Sequence, residues 1–165
     1  MLVATPISEA IASFHRNEHV LDRGFSVFTA EEPFRQPAPH CNHAVWILGH
    51  VIYCRNRVIE LIGNPPALSQ SWLPLFSRGA KLQQDLSVYP SWNELLEAWR
   101  EITPTLHKAL EEIAPEVLDR PSPEGMSSAD KKISGLINFF AYHEAYHAGQ
   151  LAYITKWLGH GGSVG

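Results

Sequence analysis

Cysteine is scarce in this chain of 165 residues, which has two, and two cannot build the disulfide framework of a small secreted scaffold. An excess of positive charge is also missing. Lysine and arginine number 13 against 17 aspartates and glutamates, a formal net charge of −4. Interspersed, slightly acidic charge lacks the electrostatic footprint of nucleic-acid binding, so no nucleic acid is expected as a partner. Nor is there a long apolar run. The longest uncharged stretch, Gln36 to Cys54, is broken by Pro37, Pro39, Asn42 and several histidines, and no membrane association is expected. Met1 to Glu9 carries no basic region and meets Pro6 early, which argues against a signal peptide and for a cytoplasmic protein. No segment alternates as a strand would. What stands out is histidine: nine of them, more than cysteine and methionine together.

Four stretches carry helical periodicity. Ile7, Ile11, Phe14, Val20, Leu21 and Phe25 predict a helix over about Ile7 to Phe28, stopped by Pro33. A second helix is expected from Asn42, a good N-cap residue, to the stop at Gly63-Asn-Pro-Pro66. Its first half, Ala44 to Cys54, has no formal charge, which predicts burial on most sides. Arg55, Arg57 and Glu60 should return its far end to solvent. The connection 64–90 exceeds ordinary loop lengths and holds the apolar Ser71-Trp-Leu-Pro-Leu-Phe76. It is expected either as a crossover between helices that are not antiparallel neighbours or as a lid. Ser91-Trp-Asn-Glu94 is a capping box opening a third helix, whose apolar stripe runs to Ile113 with a kink expected at Pro104. The fourth helix is expected from about Ser128 to Leu158. Four long helices with a long crossover between the second and third make an all-α four-helix bundle, in one domain over residues 1–165.

The inward seam of the fourth helix reads Leu136, Phe140, His143, His147, Gln150, Ile154 and Trp157. Two histidines thus hold positions that packing would give to leucine. Four residues apart, they stand one turn apart on one face and can converge on a single point. Buried imidazoles need partners, and one metal ion serves both. The same residues spell His143-Glu144-Ala-Tyr-His147, the H-E-x-x-H of zinc proteases, where the Glu is general base. The rest of the chain argues against a protease: no Asp or Glu follows His147, and positions 150 and 153 are Gln and Tyr where the metzincin extension needs Gly and His.

A third ligand must then come from upstream, and His50 in the middle of the uncharged helix is the best candidate. One helix offering a single ligand and another an i, i+4 pair is a usable arrangement in a bundle. Three neutral imidazoles leave a position open for water or substrate, as in catalytic sites. Cys54, one turn beyond His50, is either a fourth ligand or a small buried hydrophobe, and the second reading is preferred. Three imidazoles suit zinc, nickel, iron or copper, with zinc and nickel foremost and manganese also in range.

Trp46-Ile-Leu-Gly-His50 followed by His143-Glu-Ala-Tyr-His147-Ala-Gly-Gln150 resembles the DinB/YfiT-like superfamily. Asn42, Tyr89-Pro-Ser-Trp-Asn-Glu-Leu-Leu96 and Leu151-Ala-Tyr-Ile-Thr-Lys-Trp-Leu-Gly159 extend the resemblance over about Asn42 to Gly159. It implies a four-helix bundle of unusual connectivity, a homodimer, and a divalent metal held by His50, His143 and His147. It also implies a small-molecule substrate and a low-molecular-weight thiol, as in thiol transferases. In this pattern Glu144 needs no protease role, and a supporting or surface position is expected for it. Gln150, Tyr146 and Glu144 remain the candidates for catalytic roles. Trp46 and Tyr142 are expected to shape the pocket with Tyr146 and Gln150, and Trp72 or Phe76 to cover it. The alternatives are a non-catalytic metal-binding bundle and an HExxH hydrolase. The other histidines have plainer readings: His15 and His19 on a solvated face, His40 and His43 as loop and cap residues, His107 and His160 exposed.

Overall fold

The computed structural model describes residues 5–29, 31–126 and 128–161. All regular structure in them is helical, as expected, and there are six α-helices rather than four. Four are long: α1 (Ser8–Ser26), α2 (Ala44–Leu61), α4 (Trp92–Glu111) and α6 (Ile133–Trp157). The other two, α3 (Leu73–Phe76) and α5 (Pro115–Leu118), are single turns with Pro in their first two positions, where its missing N–H costs nothing.

The long helices pack as a ring in which α1 lies against α6, α6 against α2, α2 against α4, and α4 more lightly against α1. Helices α1 and α2, consecutive in sequence, are therefore diagonal. Directions follow from cross-contacts. Phe28 meets Trp92 and Asp22 accepts from Trp99, so α1 and α4 are antiparallel. Arg55 reaches both Thr103, as deep in α4 as Arg55 is in α2, and Glu144 on α6. Tyr89, just before α4, packs edge-on to His43 at the start of α2, so α2 and α4 run parallel. That parallel pairing is why the connection is long: the chain leaving α2 must travel back along the bundle before α4 can start. The connection is a crossover between helices that are not antiparallel neighbours.

Local chemistry sets the helix ends. The N-cap of α2 is His43, not Asn42; its Nδ1 accepts the Trp46 N–H at 3.0 Å. Gly63, at φ +97°, turns the chain off α2, with Asn64 and Gly63 N–H groups bonding the Ile59 and Glu60 carbonyls in a Schellman closure. Asn56, fully buried, then accepts the N–H groups of Ala67 and Leu68 and pins the returning chain to α2. The Ser91–Glu94 capping box forms as expected, and α4 continues through Pro104. Helix α6 starts at Ile133, five residues later than expected, because Asp130 accepts the Lys132 N–H and the Ser134 hydroxyl and holds that stretch as a turn.

Helix α2 is the central element, with 15 of its 18 residues buried. Its Ile47, Leu48, Ile52 and Ile59 meet Phe14 and Leu21 of α1, Leu95 and Leu106 of α4, and Leu136 and Leu151 of α6 in one core. Arg55 does not return α2 to solvent: it is fully buried in that core. Trp157, expected inward, is exposed, with the Arg35 guanidinium over its ring. No helix is long and apolar enough to cross a membrane among the described residues.

Candidate metal centre

The face that α2 turns toward α6 carries His50 and Cys54, one turn apart, and α6 answers with His143 and His147. Ring centroids stand 5.2 Å apart for His50 and His143, 4.8 Å for His50 and His147, and 4.5 Å for His143 and His147. The structure thus brings together the three histidines singled out from sequence. The set of three ligand atoms close enough to hold an ion here is that of His50, Cys54 and His143, all within 4.8 Å of one another.

Two of the rings are oriented from behind. His50 Nδ1 lies 2.7 Å from the Phe76 carbonyl, which can only accept, so Nδ1 carries the proton and Nε2 presents a bare lone pair. Phe76 gets there because Gly49 has no side chain: a Cβ at Gly49 would overlap the Phe76 ring. His147 Nδ1 lies 2.9 Å from Gln150 Oε1, and the Gln150 amide nitrogen donates to the Tyr146 hydroxyl. His147 Nε2 is therefore also bare, and it faces His143 Nε2 at 3.2 Å. Trp46 stacks on His50, 4.6 Å between centroids and 10° between planes.

Burial holds His50 and His147 down to about 4, helped at His50 by the charge of His143 and at His147 by those of both other rings. His143, half-buried, is lowered too, by desolvation and the nearby Arg78. All three are thus neutral at neutral pH, the form that binds metal. Burial, with the Glu144 carboxylate adding to it, pushes the Cys54 thiol well above its ordinary range. The 3.2 Å between His143 Nε2 and His147 Nε2 fits an ion: two nitrogens bound at about 2.0–2.1 Å in tetrahedral to octahedral geometry stand about 3.0–3.4 Å apart. Neutral imidazoles, bare lone pairs and a thiol make a donor set for a borderline divalent cation.

The centre opens on a cavity of about 780 Å³ whose walls include Trp46, Tyr53, Phe139 and Phe140, with Arg57 and Arg78 as its charged groups. Tyr146 lines it and also a second cavity of about 670 Å³ beside the start of α2, which holds Gln150, His40, Cys41 and Asn42. Several expectations about the pocket change. Tyr142 points to solvent. Gln150 faces the second cavity. Phe76 supports His50 from behind and does not cover it, and Trp72 packs edge-on against Phe76.

Glu144 is neither a surface residue nor a free carboxylate. It is 1% exposed, and its two oxygens accept from Arg55 Nε and Nη2 at 2.7 and 3.0 Å. Arg55 also donates to Thr103 and lies over the Trp99 ring. Sequence reasoning missed this pair; its signals were a charge on the most apolar helix and a Glu turned about 100° from His143.

Of the remaining histidines, His15, His19 and His40 are exposed and His43 is a cap, as expected. His107 is not exposed: it stacks on His15 at 3.9 Å and bonds Glu18 at 2.7 Å, forming a second cluster between α1 and α4. His160 is half-buried and bonds Glu32. A search of curated proteins finds no match to this sequence. A family model for the DinB superfamily matches residues 13–151, a span that holds His50, Cys54, His143 and His147, and the chain therefore belongs to the DinB superfamily.

Proposed function

We propose that the protein is a metal-dependent enzyme whose divalent ion is held by His50, His143 and His147 and whose substrates are a small molecule and a low-molecular-weight thiol. The observation that carries this reading is the fixed tautomer of two ligands. The Phe76 carbonyl and Gln150 Oε1 each hold an Nδ1 proton, which leaves the His50 Nε2 lone pair bare beside Cys54 and the His147 Nε2 lone pair bare beside His143. Such outer partners orient metal-binding imidazoles. Zinc and nickel are the ions this set suits best.

When bound, a divalent ion lowers the pKa of a water or thiol and supplies a nucleophile at neutral pH. The protein's part is to hold the rings neutral, to exclude water with Trp46, Phe139 and Phe140, and to present Tyr146 at the cavity wall. The Tyr146 hydroxyl accepts from Gln150, so its own proton is left to donate to a bound molecule. Glu144 has no general-base role in this scheme, because Arg55 takes both of its oxygens.

A homodimer belongs to the same proposal. Its support is a stripe of exposed aromatic residues along α6: Phe139, Tyr142, Tyr146, Tyr153 and Trp157, 41–71% exposed and spaced by three, four and seven. That spacing is a helix-pairing seam with no partner helix among the described residues. The test of the metal reading is elemental analysis of purified protein, His50→Ala and His147→Ala, with chelation followed by thermal melting. About one ion per chain, lost in both variants, is the expected result. Full occupancy in both variants sinks the three-histidine site. Metal binding with no turnover of any thiol and electrophile pair leaves a non-catalytic metal-binding bundle.

A further inference from the structure

We propose that Cys54 supplies a sulfur ligand to the ion held by the histidines, making this a mixed nitrogen–sulfur centre. The inference rests on the metal reading above and narrows the chemistry of that site. A buried cysteine that merely fills space has apolar neighbours. The polar contacts of Cys54 Sγ are instead two imidazole nitrogens, His50 Nε2 at 3.5 Å and His143 Nδ1 at 3.7 Å. A sulfur and a nitrogen bound to one tetrahedral zinc ion, at about 2.3 and 2.0 Å, stand about 3.5 Å apart. The sulfur therefore already lies at ligand spacing from His50, whose Nε2 lone pair is bare because Phe76 holds the proton on Nδ1.

The placement is built into the fold. Cys54 follows His50 by one turn on the most enclosed helix, and the neighbouring Arg55 and Asn56 anchor that turn to α4, α6 and the crossover. Cys54 is 5% exposed, yet it lines the cavity with His50 and His143. His143 lies between Cys54 and His147, its Nδ1 facing the sulfur and its Nε2 facing His147, and it joins an ion through one of these two nitrogens. A thiolate among imidazoles shifts preference toward zinc, cobalt and similar ions and away from manganese. The other cysteine, Cys41, lies at the second cavity and has no place in this centre.

Cobalt(II) loading of the purified full chain tests this directly. Thiolate-bound cobalt absorbs in the near ultraviolet, and nitrogen- or oxygen-bound cobalt does not. The expected result is that band at one cobalt per chain, abolished in Cys54→Ser and Cys54→Ala and intact in Cys41→Ser. Zinc affinity should fall at least tenfold in the Cys54 variants, while the weaker manganese affinity is unchanged. Stoichiometric cobalt without the band overturns the proposal and leaves the histidine reading standing, and it needs no variant to fold. A band that survives in Cys54→Ser also overturns it. Failure to bind cobalt, zinc or nickel at all removes both.

Discussion

Arg55 and Glu144 face each other across α2 and α6 as a two-pronged ion pair, with neither side chain more than 1% exposed. The pair stands one residue beyond Cys54 on one helix and one beyond His143 on the other. It therefore fixes the rotation of both helices that present the candidate ligands. Removing one partner strands a buried charge, which costs about 3–5 kcal/mol. Glu144→Gln and Arg55→Ala are each expected to lower urea-unfolding stability by about that much. A metallohydrolase with a general-base Glu144 would behave differently: Glu144→Gln would lose activity at full stability and full metal content.

Gly49→Ala puts a methyl group into the Phe76 ring. Overpacking of this kind costs about 1–3 kcal/mol. Because Phe76 also holds the His50 Nδ1 proton, zinc affinity should fall along with the melting temperature. An unchanged zinc Kd in a destabilised Gly49→Ala protein would mean that the Phe76 carbonyl has no hold on the metal.

Gln150 touches His147 without facing the common space of the rings. Loss of such an outer partner typically weakens metal affinity by about 10–100-fold. Gln150→Ala should do so with the circular dichroism spectrum and unfolding midpoint of the metal-free protein unchanged. Wild-type zinc affinity in that variant would remove Gln150 from the site.

His43 gives the fold a dependence on pH. Its Nδ1 accepts from Trp46, so its proton sits on Nε2, which is buried with no hydrogen-bond partner among the described residues. Desolvation holds its pKa down to about 4, against an ordinary 6.5. The unfolded chain therefore takes up this proton at higher pH than the folded one. Stability is full above about pH 6.5, falls as pH drops, and levels off below about pH 4; His43 alone accounts for about 3 kcal/mol. His50 and His147 act in the same direction when no metal is bound. His43→Asn keeps a capping side chain and should flatten part of the slope in urea titrations of chelated protein at pH 7, 5.5 and 4.5. Equal slopes for variant and wild type would refute the assignment.

Tyr142 and Tyr153 lie on the exposed seam of α6 and outside the metal cavity. Tyr142→Glu with Tyr153→Glu should turn a dimer into a monomer in sedimentation velocity, with zinc content retained. A wild-type protein that sediments as a monomer would remove the homodimer.

The four long helices, the capping box and the shared face of His143 and His147 were legible in the sequence, because each is a local pattern with one geometric solution. What escaped was set by tertiary partners. Nothing local in Phe76 says that its carbonyl will meet His50 from 26 residues away. Arg55 read as a return to solvent because its carboxylate partner lies 89 residues on, in a motif that names a different role for Glu144. Cys54 reads as a hydrophobe, since helical phase puts it beside His50 but does not tell that His143 stands across from its sulfur. The late start of α6 has a similar origin: Asp130 offers the backbone a turn that competes with the helix the pattern suggests.

The parallel course of α2 and α4 has a consequence in time. His50 is synthesised before its Phe76 support, and α6, with His143 and His147, follows both. The ring of helices also closes only when α6 docks against α1, a pairing of distant segments of the kind that forms late. An emerging chain thus carries one half of the candidate centre with nothing opposite it. An ion held as proposed is captured only once α6 has docked, and a chain that has bound it is one whose α2 and α6 have already met.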